Sequence, residues 1–140
     1  MEDPIINTTS PIQLIVPKTL EVAEEEPELI KAAALGDRKT FDSWPYAKRS
    51  EFQYLDSQRK ASPFWWAACN GRREVIDFLF DQFKGKKLKT FLLQKDKEGR
   101  SIFFIAASHG HIETFLCLYS ASLKLKVWEE RDLRDLIKKE

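Results

Sequence analysis

Residues 101–119, SIFFIAASHGHIETFLCLY, decide how this chain folds, because the same pattern occurs twice before them. Residues 62–80 read SPFWWAACNGRREVIDFLF and residues 27–44 read PELIKAAALGDRKTFDSW. Each stretch carries two adjacent alanines, two further residues and then a glycine: Ala32, Ala33 and Gly36; Ala67, Ala68 and Gly71; Ala106, Ala107 and Gly110. The glycines lie 35 and then 39 residues apart. Self-similarity at this period is the signature of stacked helical units. Paired alanines let neighbouring helices approach closely, and each glycine suits the left-handed turn that ends a helix.

The third stretch, extended to residues 96–126 (DKEGRSIFFIAASHGHIETFLCLYSASLKLK), resembles an ankyrin repeat. The family pattern opens Asp-x-x-Gly-x-Thr-Pro-Leu-His and continues x-Ala-Ala-x-x-Gly-His; Asp96, Gly99, Ser101, Ala106, Ala107, Gly110 and His111 fall in register. The second unit keeps Ser62, Pro63, Ala67, Ala68 and Gly71, with Arg72 at the family histidine; the first keeps Pro27, Leu29, Ala32, Ala33 and Gly36. The resemblance covers residues 27–126. It implies an all-α fold, an ankyrin-type helical repeat solenoid with short hairpin loops, in units of about 27–55, 56–95 and 96–126. Departures cluster at the Thr-Pro-Leu-His turn, which reads Ser-Pro-Phe-Trp at 62–65 and Ser-Ile-Phe-Phe at 101–104. The family histidine there hydrogen-bonds one repeat to the next. Its absence leaves the tie to aromatic packing, with a rotation between repeats as the expected consequence.

At 140 residues the chain has room for one domain with a thin core. Its 43% hydrophobic and 32% charged fractions are ordinary for a globular chain. Ten Phe and four Trp are many for this length and supply large buried area to a short array. The longest apolar run is far short of a membrane span, and no basic segment precedes an apolar one at the N-terminus. A cytoplasmic monomer is the expectation.

The net charge of +1 conceals an uneven distribution. Residues 1–30 hold seven acids against one base, Lys18, while the remainder holds 22 bases against 15 acids. Residues 24–28 supply negative charge where the first helix begins, which suits the positive end of its dipole. The alternative is an acidic tail that masks a basic body until a partner displaces it. Pro4, Pro11 and Pro17 oppose a helix, so residues 1–26 read as an extended or disordered acidic arm.

Helices are expected over 28–35, from 37 to Pro45, over 63–70, 74–82, 102–109 and 112–120. The stripe Val75, Ile76, Leu79 and Phe80 marks the buried side of the fourth. Tyr46, Phe52, Tyr54 and Leu55 are expected to cover the end of the core, and Trp66 to point inward with Trp65 partly open. Residues 127–140, with Leu133, Leu136 and Ile137, read as a capping helix. The 39-residue period exceeds the usual ankyrin spacing by about six. The excess falls in residues 83–92, where Lys84, Lys86, Lys87 and Lys89 surround Gly85 in a basic loop. Either the loop is only solvated or it touches acidic protein, phosphate or anionic lipid.

Constellations for catalysis are thin, and no enzyme is expected. Cys69 and Cys117 stand 48 residues apart with no zinc spacing around them, so neither metal nor cofactor is expected. His109 and His111 flank Gly110, and His111 matches the structural histidine of the resembled family. A Cys-His nucleophile would need a histidine oriented beside Cys69. Cys117 is expected in the core.

What the resemblance implies is a protein-binding module, an adaptor or inhibitor. Its partner would engage hairpin tips and exposed first-helix positions. In this chain those are Gln58, Arg59, Ala61, Cys69 and Asn70, then Lys97, Glu98, Arg100, Ser108 and His109, with Ala34 and Leu35 from the first unit. Cys69 is expected to be accessible there. Arg59 and Arg100 would anchor a partner of acidic or mixed surface, since arginine binds carboxylates through its planar fork. Nucleic acid is not expected. The alternative is attachment to an anionic membrane or another polyanion through Lys84, Lys86, Lys87 and Lys89. Short divergent ankyrin arrays also resemble bacterial effectors delivered into host cells, and the terminus with Glu129, Glu130, Leu136 and Ile137 is loosely similar to their export signals.

Overall fold

The structure, a computed structural model, describes residues 17–124, and side chains through residue 123. The arm before residue 17, the expected capping helix at 127–140 and the terminus compared with export signals lie outside the described residues. Among the described residues seven α-helices follow in order: α1 (Glu28–Leu35), α2 (Arg38–Asp42), α3 (Pro63–Cys69), α4 (Arg73–Gln82), α5 (Gly85–Leu93), α6 (Ile102–Ser108) and α7 (Ile112–Lys124). A 3-10 segment, Tyr46–Gln53, lies between α2 and α3. The fold is all-α; the described residues hold no strand, only an antiparallel bridge between Lys95 and Ser101.

Three helix pairs repeat one local construction. Ser62 and Ser101 adopt the same extended conformation and accept the backbone N–H of Trp65 and Phe104, which starts α3 and α6. Each first helix ends at a glycine of positive φ, and the N–H groups of that glycine and of the next residue bond back to the alanine pair. Thus Gly71 and Arg72 donate to Ala68 and Ala67, and Gly110 and His111 to Ala107 and Ala106. Gly36 and Asp37 do the same to Ala33 and Ala32. The pairs α1–α2, α3–α4 and α6–α7 then stack, so that α3 packs between α1 and α6 while α4 packs between α2 and α7.

Side chains of one unit cover the glycine of the unit before it. A Cβ on Gly71 would lie 2.4 Å from Nδ1 of His111, and one on Gly36 would lie 3.0 Å from Cδ of Arg72. Arg72 also donates from Nε to the Ala34 carbonyl at 2.9 Å. Arginine, at the position where the resembled family carries histidine, thus caps the end of α1.

Several expectations change here. Most of the expected loop at residues 83–92 is helical: α5 begins at Gly85 and buries Leu88, Phe91 and Leu92. Those three recur at helical spacing, and Phe91 packs edge-on to Phe64 at 5.0 Å and against Phe83 at 4.8 Å. Phe52 is buried as expected, between Phe41, Phe64 and Phe78. Tyr46, Tyr54 and Leu55 are instead exposed, and Arg49 lies over Tyr46, Phe52 and Phe78. Trp65 is buried like Trp66, and its Nε1 donates to the Arg100 carbonyl at 3.1 Å. The indole so adds a hydrogen bond between the second and third units where aromatic packing alone was expected. Cys117 is only half-buried, with Sγ 3.8 Å from Asp77 Oδ1.

Candidate functional site

Two loops stand before α3 and α6, each wound around a buried carboxylate. Asp96 accepts the N–H groups of Glu98 and Arg100 on Oδ1, and Asp56 accepts those of Gln58 and Arg59 on Oδ2 and of Ala61 on Oδ1. Trp66 Nε1 completes the shell of Asp56 at 3.0 Å. The loops are joined directly, the Lys97 N–H donating to the Arg59 carbonyl at 2.8 Å. Glu26 adds a third member to the row: its buried carboxylate accepts the N–H and hydroxyl of Ser57. The acidic cluster at 24–28 therefore includes a group that ties the first unit to the second, beyond any effect on the α1 dipole.

The row of loops separates the two arginines expected to act together. Arg100 is committed inward: Nε and Nη2 meet Asp96 Oδ2 at 2.8 and 2.7 Å, and Nη2 meets Glu98 at 3.0 Å. Its guanidinium lies over Trp65, and the side chain is 17% exposed. Arg59 makes no side-chain ion pair among the described residues and is half-buried at the loop tip. Gln58, Lys97 and Glu98 are exposed beside it, as is Ser108 at the end of α6.

Cys69 and Asn70 are buried, so the expectation of an accessible Cys69 does not hold. The close-packed end of α3 encloses both. Burial pushes the Cys69 thiol up to about 12. Burial, followed by the charges of His111, Lys18 and Arg100, lowers His109, whose Nδ1 lies 3.5 Å from Cys69 Sγ. Both shifts favour neutral partners, the reverse of a thiolate–imidazolium pair. No group of three His, Cys, Asp or Glu among the described residues could hold a metal ion.

Residues 17–24 cross the ends of α1, α3 and α6. The Lys18 N–H donates to the His109 carbonyl at 2.9 Å, and His111 Nε2 donates to the Lys18 carbonyl. Asn70 brackets the next contact, accepting the Leu20 N–H at 2.6 Å and donating to the Leu20 carbonyl at 2.9 Å. Asn70 also donates to the Ala34 carbonyl at 3.0 Å. The arm thus overlies Asn70, Ala34 and His109, positions expected to meet a partner. A polar side chain ending a helix one residue before glycine was the available signal for this role.

Of the lysines in the 83–92 segment, Lys86, Lys87 and Lys89 lie on α5 and Lys84 immediately precedes it. Lys84 donates to the Phe80 carbonyl at 2.7 Å, Lys86 and Lys87 are exposed and Lys89 is half-buried. No helix among the described residues is long and apolar enough to cross a membrane.

No protein-family model matches the sequence, and no curated protein matches it closely enough to be counted. A chain in the crystal structure of the yeast ribosomal protein Rps3 in complex with its chaperone Yar1 is similar, with a TM-score of 0.55 and 19% sequence identity. The likeness covers 66% of this chain and 68% of that one, and at this identity it is one of fold.

Proposed function

We propose that the chain is a short ankyrin-type array that binds a partner protein through its loop tips, around Gln58, Arg59, Lys97 and Glu98. One observation carries this reading. Buried Asp56 and Asp96 fix two adjacent loops, the Lys97–Arg59 main-chain bond joins them, and the polar tips remain open beside Arg59. A rigid row of loops loses little freedom on association, and an arginine there is suited to a carboxylate on an acidic or mixed surface. The structurally similar chain comes from a complex of a ribosomal protein with its chaperone, a setting of protein–protein contact. The module carries no catalytic activity on this reading, and its place is the cytoplasm, of its own cell or of a host.

The test is affinity capture with the full chain. Arg59→Ala and Lys97→Ala together should abolish recovery of the partner while leaving the thermal midpoint unchanged. Recovery at the wild-type level would refute the loop-tip reading. A second reading rests on Lys86, Lys87 and Lys89 on α5 beside exposed Leu93, a cationic apolar helix face suited to an anionic surface. Neutralising those lysines would then abolish capture, and added salt would weaken it steeply.

A further inference from the structure

We propose that the groove across the ends of α1, α3 and α6 is a binding site for an extended peptide segment of a partner, and that residues 17–24 occupy it as an intramolecular stand-in. The proposal rests on the reading of the chain as a protein-binding module. In an extended chain, residues two apart turn their main-chain groups and side chains the same way. Lys18 and Leu20 are two apart, and both engage the body through N–H and carbonyl together. Their polar contacts are therefore blind to side-chain identity. The side chains that reach the body are Leu20 and Val22, also two apart and packed on the core, while Thr19 and Glu21 face solvent. Main-chain bonds supply affinity and alternate side-chain pockets supply selectivity in this mode of recognition. The Lys31 contact with the Glu24 carboxylate, 3.9 Å long with Glu24 almost fully exposed, adds little.

Two observations point beyond the arm itself. Asn70, buried beneath the arm, turns one carbonyl and one N–H together on Leu20, and its further bond to the Ala34 carbonyl holds that amide in place for the main chain of an occupant. Yet the arm fits poorly: a cleft of about 370 Å³ remains between it and α1, and Leu35 on its rim is 74% exposed. A segment with an apolar residue at one position and a bulkier one two positions on would keep every main-chain bond and fill that cleft. The occupant is thus an extended stretch of apolar-x-apolar character.

The probe is a dye-labelled synthetic peptide of residues 17–24, read by fluorescence anisotropy against the full chain. In the wild type the tethered arm competes at an effective concentration of order millimolar, so uptake should be weak. Leu20→Ser with Val22→Ser in the chain frees the groove and should tighten uptake at least about tenfold. A phenylalanine at the Val22 position of the peptide should bind tighter again. Adding Asn70→Ala to the freed chain should abolish uptake. Absence of uptake by the freed chain at millimolar peptide, or uptake indifferent to Asn70, overturns the proposal. Should those variants fail to fold, amide exchange on the wild type decides: excess peptide must accelerate exchange at Lys18 and Leu20, and unchanged protection overturns the proposal. Loss of peptide uptake with Arg59-dependent capture intact would sink the groove alone. The converse would sink the loop-tip reading alone.

Discussion

The loops before α3 and α6 share a design and differ in what they do with charge. In both, a buried aspartate accepts loop amides, and its own N–H closes the loop on a carbonyl, Ala61 for Asp56 and Arg100 for Asp96, each at 3.0 Å. In both, a residue of positive φ precedes that carbonyl, Lys60 at 58° and Gly99 at 79°. Ala61 therefore stands where Arg100 stands one unit later. The Asp96 carboxylate meets a guanidinium; among the described residues that of Asp56 meets the indole of Trp66 and backbone N–H groups alone. The loop before α3 has one residue more, and Arg59 lies in the added length. Two arginines that look alike along the sequence are consequently a structural ion-pair partner and a loop-tip cation with no ion pair among the described residues.

The largest effect should come from removing the carboxylate that meets no cation among the described residues. Asp56→Ala strands the buried Ala61 N–H and Trp66 Nε1, and an unsatisfied buried donor costs roughly 1–3 kcal/mol. The expected loss is about 3–5 kcal/mol in denaturant unfolding. A loss under about 1 kcal/mol would mean that the loop is held by the chain around it.

Next come the glycines. Placing alanine at positive φ costs on the order of 1–2 kcal/mol at either Gly36 or Gly71. At Gly36 the facing atom belongs to the flexible Arg72 stem, which can swing aside. At Gly71 it belongs to the His111 ring, which also holds Lys18. Gly71→Ala should therefore cost more than Gly36→Ala, by roughly 1–3 kcal/mol of overpacking. It should also raise amide exchange at Lys18. Equal losses at the two sites would show that unit three gives way as easily as unit two.

These contrasts mark what the sequence made legible. The alanine pairs, the glycines and the serine caps act within one turn of helix, so their spacing reports the structure they make. Helix α5 was hidden because four lysines in residues 83–92 obscured the i, i+3, i+4 recurrence of Leu88, Phe91 and Leu92. Asp56 escaped comparison with Asp96 because it precedes its serine by six residues in place of five, and the extra residue has no signature of its own. The candidate site was half legible. Register placed Gln58, Lys97 and Glu98 at the tips, but could not foresee that Arg100 would turn back onto Asp96. Nor could it show that Asn70 would be buried under residues far away in sequence, because that contact exists only once the arm is laid across the stack.

The smallest expected effect is the one that separates the two loops most sharply. Arg100→Ala removes the cation beside the fully buried Asp96 side chain and the cover over Trp65, while two backbone N–H groups still reach the carboxylate. Breaking a buried pair from one side costs about 3–5 kcal/mol when nothing else compensates. With those amides retained and Arg100 partly exposed, about 2 kcal/mol is expected. Arg59→Ala touches no ion pair among the described residues, and substitutions away from packing features usually shift stability by under about 0.5 kcal/mol. In a binding assay the order should invert: Arg59→Ala should weaken partner capture by a hot-spot increment of about 2 kcal/mol. Arg100→Ala should act on capture only so far as it loosens its loop, so cooling or a stabilising osmolyte should restore binding to that variant and leave the Arg59→Ala defect in place. Should both variants lose stability equally, or both lose capture irrecoverably, the difference between the loops would be one of geometry with no consequence for function.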